Sequence, residues 1–318
     1  VAQHPNLSFG DAAFYGDPVP RGRAFHDARN DKTPEALLYG YNMAEQWERA
    51  LELDPKMVFF TGWNEWTAGK IPGDDPRPVL MIDQADWEYS RDVEPMRGGH
   101  FDNYYMLLCQ YIRRYKGAPA APEARAPYSI ALSAGFEQWQ QVPAYWAMPF
   151  GTLPRQAEGH GGVVYRDATG RNEFDCLKVA HDSENVYFYA RTREKIVFNM
   201  FTKWMNLYIG VAGRPYAPHW HGYHYLVNDI VLDGSATILQ TCLGGYRFGR
   251  NTRIAYRMQE NELMLAIPRA ALGVENGGFE LRFQWADHTG KNETVADFYE
   301  HGDTAPYGRF SFIYRAQA

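Results

Sequence analysis

This sequence of 318 residues has few cysteines, no long apolar run and no excess of positive charge. The three cysteines, Cys109, Cys176 and Cys242, are far apart and follow no metal-binding spacing, so at most one disulfide can form. No stretch reaches the roughly 18 apolar residues that are needed to span a membrane. The formal charge of -6 and the lack of a basic run argue against nucleic acid or an anionic membrane as the main partner.

The first residue is Val1, and the stretch VAQHP contains neither a starting methionine nor a signal-peptide pattern. We therefore expect this chain to be the C-terminal part of a longer protein or a processed product. Aromatic residues are abundant, with 9 Trp, 22 Tyr and 18 Phe. Their flat apolar rings suit sugar faces as well as sheet cores, so the excess alone does not decide a function.

The first third of the chain alternates between strand-like and helix-like pieces. A strand end over Val1–Gln3 precedes a long polar loop from Ser8 to Asp31. Helical spacing of apolar residues predicts a helix from about Pro34 to Leu53. Met57–Thr61 is then an apolar, non-alternating run, which predicts a buried strand of a parallel sheet.

A second helix is predicted over Asp102–Lys116, after a loop from Gly62 to Gly99. The order of these pieces predicts that residues 1–117 are the last two β/α units of a TIM barrel. A complete (β/α)8 barrel needs about 200 residues or more, so we expect the rest of the barrel to be absent from this chain.

The stretch GAPAAPEARAP is rich in proline and alanine, which predicts a linker over residues 118–127. Residues 128–318 contain short alternating runs, some of them separated by turn signals such as Asp233–Gly234 and Gly277–Gly278. The runs are VYFYART, MNLYIGV, YHYLVNDIVL, TRIAYRM, ELMLAIP and FELRFQWAD. They predict an antiparallel β-sandwich. The expected fold class is therefore α/β, the end of a barrel, followed by all-β.

The stretch VFFTGWNEWTAGK places a carboxylate directly after the predicted buried strand. Glu65 lies between Trp63 and Trp66, at the C-terminal end of that strand, where barrel enzymes carry their catalytic residues. Aromatic walls can stack on sugar rings and exclude water, and Asn64 would shape the same subsite. The pattern is typical of a sugar-cleaving site. The alternative is that Glu65 holds a neighbouring arginine or caps the barrel rim.

Glycoside hydrolysis usually needs two carboxyl groups, about 5–5.5 Å apart for retention and about 6.5–9.5 Å apart for inversion of configuration. The loop after Glu65 offers several acids, of which Glu94 and Asp83 are the candidates for the second catalytic group. Each of these acids could equally be solvated or paired with an arginine of the same loop.

The loop from Ser8 to Asp31 supplies the other candidate binding residues. Long loops in compact domains are usually functional or disordered, and the Gly, Phe and Tyr content of this one favours a packed rim of a site. We predict that its polar side chains bind hydroxyl-rich ligands. The predicted substrate-binding residues of this loop are Asp11, Tyr15, Arg23 and His26. His4, just past the predicted strand end, is predicted to face the same pocket.

The stretch HWHGYHY, His219 to Tyr225, contains three histidines but does not predict a metal site. His219, His221 and Tyr223 would share one face of a strand, yet Gly222 interrupts regular pairing and no carboxylate completes a ligand set. Core aromatics at a bend are the better interpretation. We predict no metal and no cofactor for the catalytic residues.

The stretches GWNEWTAG and DVEPM…DNYYMLLCQYIRRYKG resemble the C-terminal end of the barrels of family 99 and WbsX-like glycoside hydrolases. Trp63–Trp66 matches the WNEW motif of that family, and Glu94–Pro95 matches its EP dipeptide after an insertion. The resemblance covers residues 1–117. It implies a TIM barrel that cleaves a poly- or oligosaccharide with carboxylates at the C-terminal ends of its strands.

One position departs from the family pattern. The family has a second glutamate three residues after the first, and this sequence has Ala68 there. The second carboxyl group then comes from the insertion, with Glu94 or Asp83 as candidates, or from the rest of the barrel, or the activity is lost or altered. For this reason the endo-mannosidase specificity of the family is not carried over.

The stretch MNLYIGVAGRP…HWHGYHYLVN is similar to a hairpin of family 9 carbohydrate-binding modules and their DOMON-like relatives. In that pattern Trp220, Gly222, Tyr223 and Asn228 are structural. The resemblance leaves room for a structural calcium ion in the sandwich. Candidate sugar-binding aromatics, chosen by residue type alone, are Trp139, Trp146, Trp204 and Trp285.

Three functions follow from these patterns: a glycoside hydrolase, a non-catalytic carbohydrate-binding protein or accessory fragment, and a purely structural fragment. Ala68 favours the second, and the acid-rich and aromatic-rich loops argue against the third. The resemblance implies a secreted, periplasmic or cell-surface protein. The expected partners are a carbohydrate and the N-terminal remainder of the barrel, in the same or a cleaved polypeptide, with no nucleic acid and no membrane span.

Overall fold

The structure is a computed structural model that describes residues 21–31, 33–65, 70–74, 77–81, 87–88, 90, 92–148, 155–158, 162, 164–199, 203–215, 222–245, 247–290 and 294–318. The chain divides into two compact units, Val1–Pro119 and Ala120–Ala318, here named unit 1 and unit 2. The predicted strand end at Val1–Gln3 lies outside the described residues.

The described part of unit 1 combines short antiparallel strand pairs with three helices. Its elements are β1 (Phe25–His26), β2 (Arg29–Asn30), α1 (Ala36–Tyr39), α2 (Tyr41–Leu53), β3 (Lys70–Asp74), β4 (Arg77–Met81) and α3 (Asn103–Lys116). β1 pairs with β2 and β3 with β4, both antiparallel. Neither of these pairs belongs to the predicted parallel sheet, and no closed barrel is present among the described residues.

The helix predicted from Pro34 to Leu53 is divided in two at Gly40, which has a φ of 66°. A side chain at this position would be strained by that φ and would also bring a Cβ to 2.7 Å from Cδ2 of Leu107. The second predicted helix is present as α3 and differs from the prediction by one residue.

The core of unit 1 forms where α2 packs against α3. The rings of Trp47 and Tyr111 are stacked with their centroids 5.6 Å apart, and the Tyr111 hydroxyl donates to Glu48 at 2.8 Å. The other buried apolar residues of this cluster are Met43, Val93, Tyr104 and Leu108.

The prediction of a buried strand over Met57–Thr61 was wrong. These residues are not in a strand, and Met57 and Phe59 are 74% and 81% exposed. Val58 and Phe60 instead pack on the helical core. Successive side chains of an extended chain point to opposite sides, so a segment that lies over helices buries only every second residue, even when all its residues are apolar.

Unit 2 is built almost entirely of strands. Its elements are a 3₁₀ helix (Phe136–Gln141), β5 (Ala144–Trp146), β6 (Arg155–Glu158), β7 (Val164–Asp167), β8 (Phe174–His181), β9 (Asn185–Thr192), β10 (Asn206–Val211), β11 (Tyr225–Val231), β12 (Ala236–Gly244), β13 (Arg247–Gln259), β14 (Glu262–Pro268), α4 (Arg269–Leu272), β15 (Phe279–Asp287), α5 (Asp297–Glu300), β16 (Asp303–Ala305) and β17 (Phe312–Ala316).

Eleven of these strands form one sheet in the order β16-β15-β10-β11-β12-β13-β14-β9-β8-β5, with β17 also paired to β15. The pairs in this sheet are antiparallel. The six alternating runs of the sequence correspond to β9, β10, β11, β13, β14 and β15. The prediction of antiparallel strands in the second part of the chain is therefore confirmed.

The large sheet folds over its own apolar face. Phe188 of β9 and Phe283 of β15 lie far apart in the strand order, yet their ring centroids are only 5.8 Å apart. Phe174 and Trp285 likewise approach to 6.2 Å. Both halves of the sheet therefore bury their rings in one core, and the whole chain is a mixed fold dominated by a large antiparallel sheet.

Two glycines of this sheet lie at different kinds of place, one in a turn between strands and one within a strand. The predicted turn at Asp233–Gly234 joins β11 to β12, and Asp233 Oδ1 accepts hydrogen bonds from the backbone and the hydroxyl of Ser235 at 2.8 and 2.7 Å. On β10, a Cβ at Gly210 would lie 2.3 Å from the carbonyl oxygen of Gly222. This close approach requires glycine at position 210.

Candidate functional site

The GWNEW segment lies beside the backbone of Val93 and Glu94. The carbonyl oxygen of Trp63 accepts hydrogen bonds from the backbone N–H groups of Val93 at 3.2 Å and Glu94 at 2.9 Å. Nδ2 of Asn64 donates to Oε1 of Glu94 at 3.4 Å. Two segments 30 residues apart in sequence are thus joined, one carrying Trp63, Asn64 and Glu65 and the other carrying Glu94.

The side chains at this junction are accessible from solvent. Trp63 is 41% exposed and makes an edge contact with Tyr105, with the ring centroids 5.7 Å apart. Asn64 and Glu65 are exposed, and Glu94 is half-buried. The structure therefore brings together four predicted site residues, two of which are carboxylates that can act as acid and base or nucleophile.

Arg23 does not face a ligand as predicted, because it is fully buried. Its Nη2 donates to Oγ of Ser90 at 3.0 Å and to the carbonyl oxygen of Asp92 at 2.5 Å. The guanidinium lies over the ring of Tyr104 at 4.4 Å. Burial lowers the pKa of Arg23 from its usual value, and the neighbouring Tyr104 and Asp92 partly oppose this effect.

The contacts of Arg23 connect it indirectly to the GWNEW segment. Arg23 holds Ser90 and Asp92, and the residues that follow, Val93 and Glu94, donate to Trp63. Arg23 therefore positions the segment that carries Glu94 and is itself out of reach of a substrate.

His26 lies at the surface of unit 1, on β1. Its Nδ1 is 2.9 Å from Oδ2 of Asp27, its Nε2 is 3.3 Å from Oδ2 of Asp31, and its ring packs on Tyr41 with centroids 4.1 Å apart. The hydrogen bonds to Asp27 and Asp31 raise the pKa of His26. Both ring nitrogens are thus engaged by acids of the same loop.

A buried polar group beside Arg23 was not predicted from the sequence. His100 is buried, its Nδ1 is 3.1 Å from the carbonyl oxygen of Phe101, and its ring meets the edge of Tyr104 with centroids 4.6 Å apart. Burial, assisted by the charge of Arg23, lowers the pKa of His100 to about 3. Nothing in the spacing around His100 distinguishes it from a surface histidine, so its burial could not have been found without the fold.

The remaining predicted site residues of unit 1 lie outside the described residues. They are His4, Asp11, Tyr15, Trp66 and Asp83.

Three of the four tryptophans chosen as candidates in unit 2 fill cores. Trp204 and Trp285 are fully buried, and Trp139 is buried with its Nε1 3.3 Å from Sδ of Met264. These three rings have no open face for a sugar. Trp146 on β5 is 64% exposed and retains an accessible ring.

The described part of the HWHGYHY stretch is structural. Tyr223 is fully buried, and its hydroxyl donates to Gln284 at 2.9 Å. Nδ1 of His224 accepts a hydrogen bond from the backbone N–H of Val211 at 2.9 Å. His219, Trp220 and His221 lie outside the described residues.

No group of three or more His, Cys, Asp or Glu side chains in the described parts of the chain is arranged to hold a metal ion. Cys109, Cys176 and Cys242 are free thiols. In the same described ranges, no helix has the length and apolar character required to cross a lipid bilayer.

Comparisons of the chain with protein-family models, with curated proteins and with solved structures gave no match. The resemblances to barrel hydrolases and to carbohydrate-binding modules therefore remain predictions, supported by the motifs named above.

Proposed function

We propose that this protein is a glycoside hydrolase that acts on a poly- or oligosaccharide, with Glu65 and Glu94 as its catalytic carboxylates. The observation that carries the proposal is the junction in unit 1, where Trp63 and Asn64 hydrogen-bond to Val93 and Glu94. The junction joins the WNEW motif to the EP dipeptide, the two stretches on which the resemblance to family 99 and WbsX-like hydrolases rests.

The roles follow from the chemistry of glycoside cleavage. One carboxylic acid protonates the leaving oxygen, and a second carboxylate either attacks the sugar or activates a water molecule. Glu94 is the half-buried member of the pair and accepts from Asn64, whereas Glu65 is exposed on the neighbouring segment. The accessible ring of Trp63 is suited to stacking on a sugar in the adjoining subsite.

Exposed apolar side chains on unit 1 support the barrel part of the proposal. Leu53, Met57 and Phe59 are all large and exposed at the end of α2 and directly after it. Exposed apolar side chains close together in sequence are consistent with an interaction site, since large apolar patches mark such sites. Further β/α units, in the same or another polypeptide, would cover it, and the protein would work where polysaccharides occur, as a secreted, periplasmic or cell-surface enzyme.

A second function, carbohydrate binding without catalysis, is favoured by Ala68. The family that the chain resembles has a glutamate at this position, three residues after Glu65. If Glu94 does not replace that glutamate, one of the two carboxylates needed for hydrolysis is missing.

The test is hydrolysis of a glycan panel by the wild-type protein and by Glu65→Gln and Glu94→Gln. Each substitution keeps the shape of the side chain and removes its ability to exchange a proton. We expect kcat on a hydrolysed glycan to fall by about 10²- to 10⁴-fold in either variant, the usual contribution of a general acid or base.

The matched control is Glu52→Gln, which removes an exposed carboxylate of α2 whose ion-pair partner among the described residues is Arg49, at 2.9 Å. This variant should keep the wild-type kcat. Full activity in Glu65→Gln would exclude Glu65 as a catalytic residue. A wild-type protein that binds glycans from the panel and cleaves none would establish the second function instead of the first.

A further inference from the structure

Residues 124–128, here called the docking segment, follow unit 1 in the chain and lie against the C-terminal strand of unit 2. The backbone N–H of Arg125 donates to the carbonyl oxygen of Arg315 at 2.8 Å, and the N–H of Gln317 donates to the carbonyl oxygen of Arg125 at 2.8 Å. Nε2 of Gln317 also donates to the carbonyl oxygen of Ala124 at 3.0 Å. Part of the linker predicted from the sequence is therefore paired with β17.

The last residue of β8, His181, contacts both the docking segment and β17. Its carbonyl oxygen accepts a hydrogen bond from the backbone N–H of Tyr128 at 2.6 Å. Its imidazole Nδ1 lies 2.6 Å from the hydroxyl oxygen of Tyr314, on β17, and its ring meets Phe279 edge-on with the centroids 5.4 Å apart. His181 and Tyr314 are fully buried. One histidine thus joins the end of β8 to the two segments that lie beside it.

The surroundings of His181 suit a neutral imidazole. A neutral ring that carries its proton on Nδ1 can direct it at the Tyr314 oxygen, whereas a protonated ring is a donor at both nitrogens. Nε2 is buried without a hydrogen-bond partner among the described residues. Burying an unpaired charged donor is costly. A protonated ring can reach water only if β17 or the docking segment moves away from it.

Two arginines place positive charge around this ring. Arg269, on α4, donates from Nη1 to the carbonyl oxygen of Asp182, the residue after His181, at 3.1 Å. Burial, followed by the charge of Arg269, lowers the pKa of His181. From the docking segment, the charge of Arg125 acts on the hydroxyl of Tyr314, the partner of Nδ1. Both arginines disfavour a second positive charge at this position.

One carboxylate opposes the arginines. Asp182 and the backbone of Gln317 favour the protonated form of His181. The carboxylate of Asp182 is already engaged, because it accepts hydrogen bonds from two backbone N–H groups of the turn that follows it and from the hydroxyl of Tyr187 at 2.5 Å. On β5, the hydroxyl of Tyr145 donates to a backbone carbonyl oxygen of β17 at 2.8 Å and adds no charge. The balance around the ring therefore favours its neutral form.

We propose that His181 is an acid-sensitive latch, which holds the docking segment and β17 on the sheet while its ring is neutral and releases both when the ring is protonated. The proton comes from solvent, and no covalent bond changes. Because the docking segment is the part of unit 2 that follows unit 1 in the chain, its release lengthens the unattached stretch of chain after unit 1. The latch stands on unit 2 alone and does not depend on whether Glu65 and Glu94 catalyse hydrolysis.

The experiment follows amide hydrogen exchange in the full chain from about pH 7.5 to about pH 5, with each rate corrected for the exchange of an unprotected amide at the same pH. In the wild-type protein, the opening equilibrium of residues 124–128 and 313–317 should rise below about pH 6.5, where a released histidine takes up its proton. The rise is at most about tenfold per pH unit, the limit for one proton. His181→Gln keeps a polar side chain beside Tyr314 but cannot be protonated, so the opening of the same residues should no longer depend on pH.

The matched control is His301→Gln, which removes a half-buried histidine of unit 2 that lies 3.5 Å from Asp167 and outside the latch. This variant should keep the wild-type pH dependence in residues 124–128 and 313–317. Opening of these residues that does not respond to pH in the wild-type protein, or that responds equally in His181→Gln, would overturn the inference.

A measurement on the wild-type protein keeps the proposal testable if His181→Gln does not fold. An NMR titration of the His181 ring should give a midpoint below about pH 6.5, the value of an unperturbed histidine. A midpoint at or above that value would show that the folded chain accommodates the protonated ring, and the latch would then be excluded.

Discussion

Two histidines of unit 1 show how far local surroundings move the same side chain. His26 is at the surface and touches the carboxylates of Asp27 and Asp31, so its charged form is stabilised and its pKa is raised. His100 is buried beside the positive Arg23, so its charged form is disfavoured and its pKa falls to about 3. The direction of each shift follows from which protonation state the fold accommodates.

These opposite shifts predict different titrations in one protein. His26 should remain protonated above pH 6.5, whereas His100 should stay neutral from pH 8 down to about pH 4.5. The measurement is an NMR titration of the imidazole Cε1–Hε1 signals, assigned with the variants His26→Asn and His100→Asn. A His100 signal that shifts near pH 6.5 would show that this ring is not buried next to Arg23.

The sign of the linkage can be stated for His100. The unfolded chain takes up a proton near pH 6.5 and the folded chain only near pH 3, so the folded state becomes less favourable as the pH falls through that window. The contribution of His100 to acid sensitivity is therefore absent above pH 6.5 and grows below it.

At the scale of elements, Arg257 contributes several hydrogen bonds that hold one segment onto the large sheet. Residues 128–142, here called the covering segment, lie over the face of β8, β9 and β14 and bury Ile130, Phe136 and Trp139 there. Nη1 of Arg257, on β13, donates to the carbonyl oxygens of three successive residues of this segment, Leu132, Ser133 and Ala134, at 3.3, 2.9 and 2.6 Å.

We therefore expect Arg257→Met to loosen the covering segment. The loss of hydrogen bonds from a charged donor should lower the free energy of unfolding by about 1.5–3 kcal/mol. Amide hydrogen exchange should accelerate over residues 130–142 in particular. The control is Arg253→Met on the same strand. Arg253 is exposed and, in the part of the chain that the structure describes, pairs with Asp233 at 3.4 Å. Its removal should therefore change the free energy of unfolding by less than about 0.5 kcal/mol. Equal exchange rates in both variants would contradict the role of Arg257.

The elements also show what the sequence could and could not predict. Strands such as β9 and β14 were predictable because their alternating or continuously apolar runs end at turn residues. The strand predicted over Met57–Thr61 was wrong, because a short apolar run reads the same whether it enters a sheet or lies over helices. Periodicity describes the neighbours of a residue along the chain and not the surface on which it packs.

For the same reason, the contacts within the candidate site could not be predicted from the sequence. The resemblance named Glu94 only as a candidate second carboxyl group, and its contact with Asn64 could not be predicted from spacing, since 30 residues separate the two. Arg23 was predicted to bind a ligand because the aspartates and arginines of the Ser8–Asp31 loop suit hydrogen bonding to hydroxyl-rich molecules. Its burial depends on Ser90, Asp92 and Tyr104, which are distant in sequence and become its neighbours only in the fold.

At the scale of the whole molecule, the two units have separate cores of unequal size. Among the described residues, the core of unit 1 is a small cluster between α2 and α3, whereas that of unit 2 extends across the strands of a folded-over sheet. A small core leaves little stability beyond the entropy lost on folding. Unit 1 should therefore be the weaker part of the molecule.

This difference predicts two thermal transitions in calorimetry, of which the lower belongs to unit 1. Trp47→Ala removes the ring that stacks on Tyr111. It should shift only the lower transition and lower the free energy of unfolding of unit 1 by about 3–5 kcal/mol. Leu265→Ala removes a fully buried side chain of β14 and should shift only the upper one, with a cost of about 2–5 kcal/mol. If both variants moved one shared transition, the units would unfold as a single cooperative body, and each would then depend on the other for its stability.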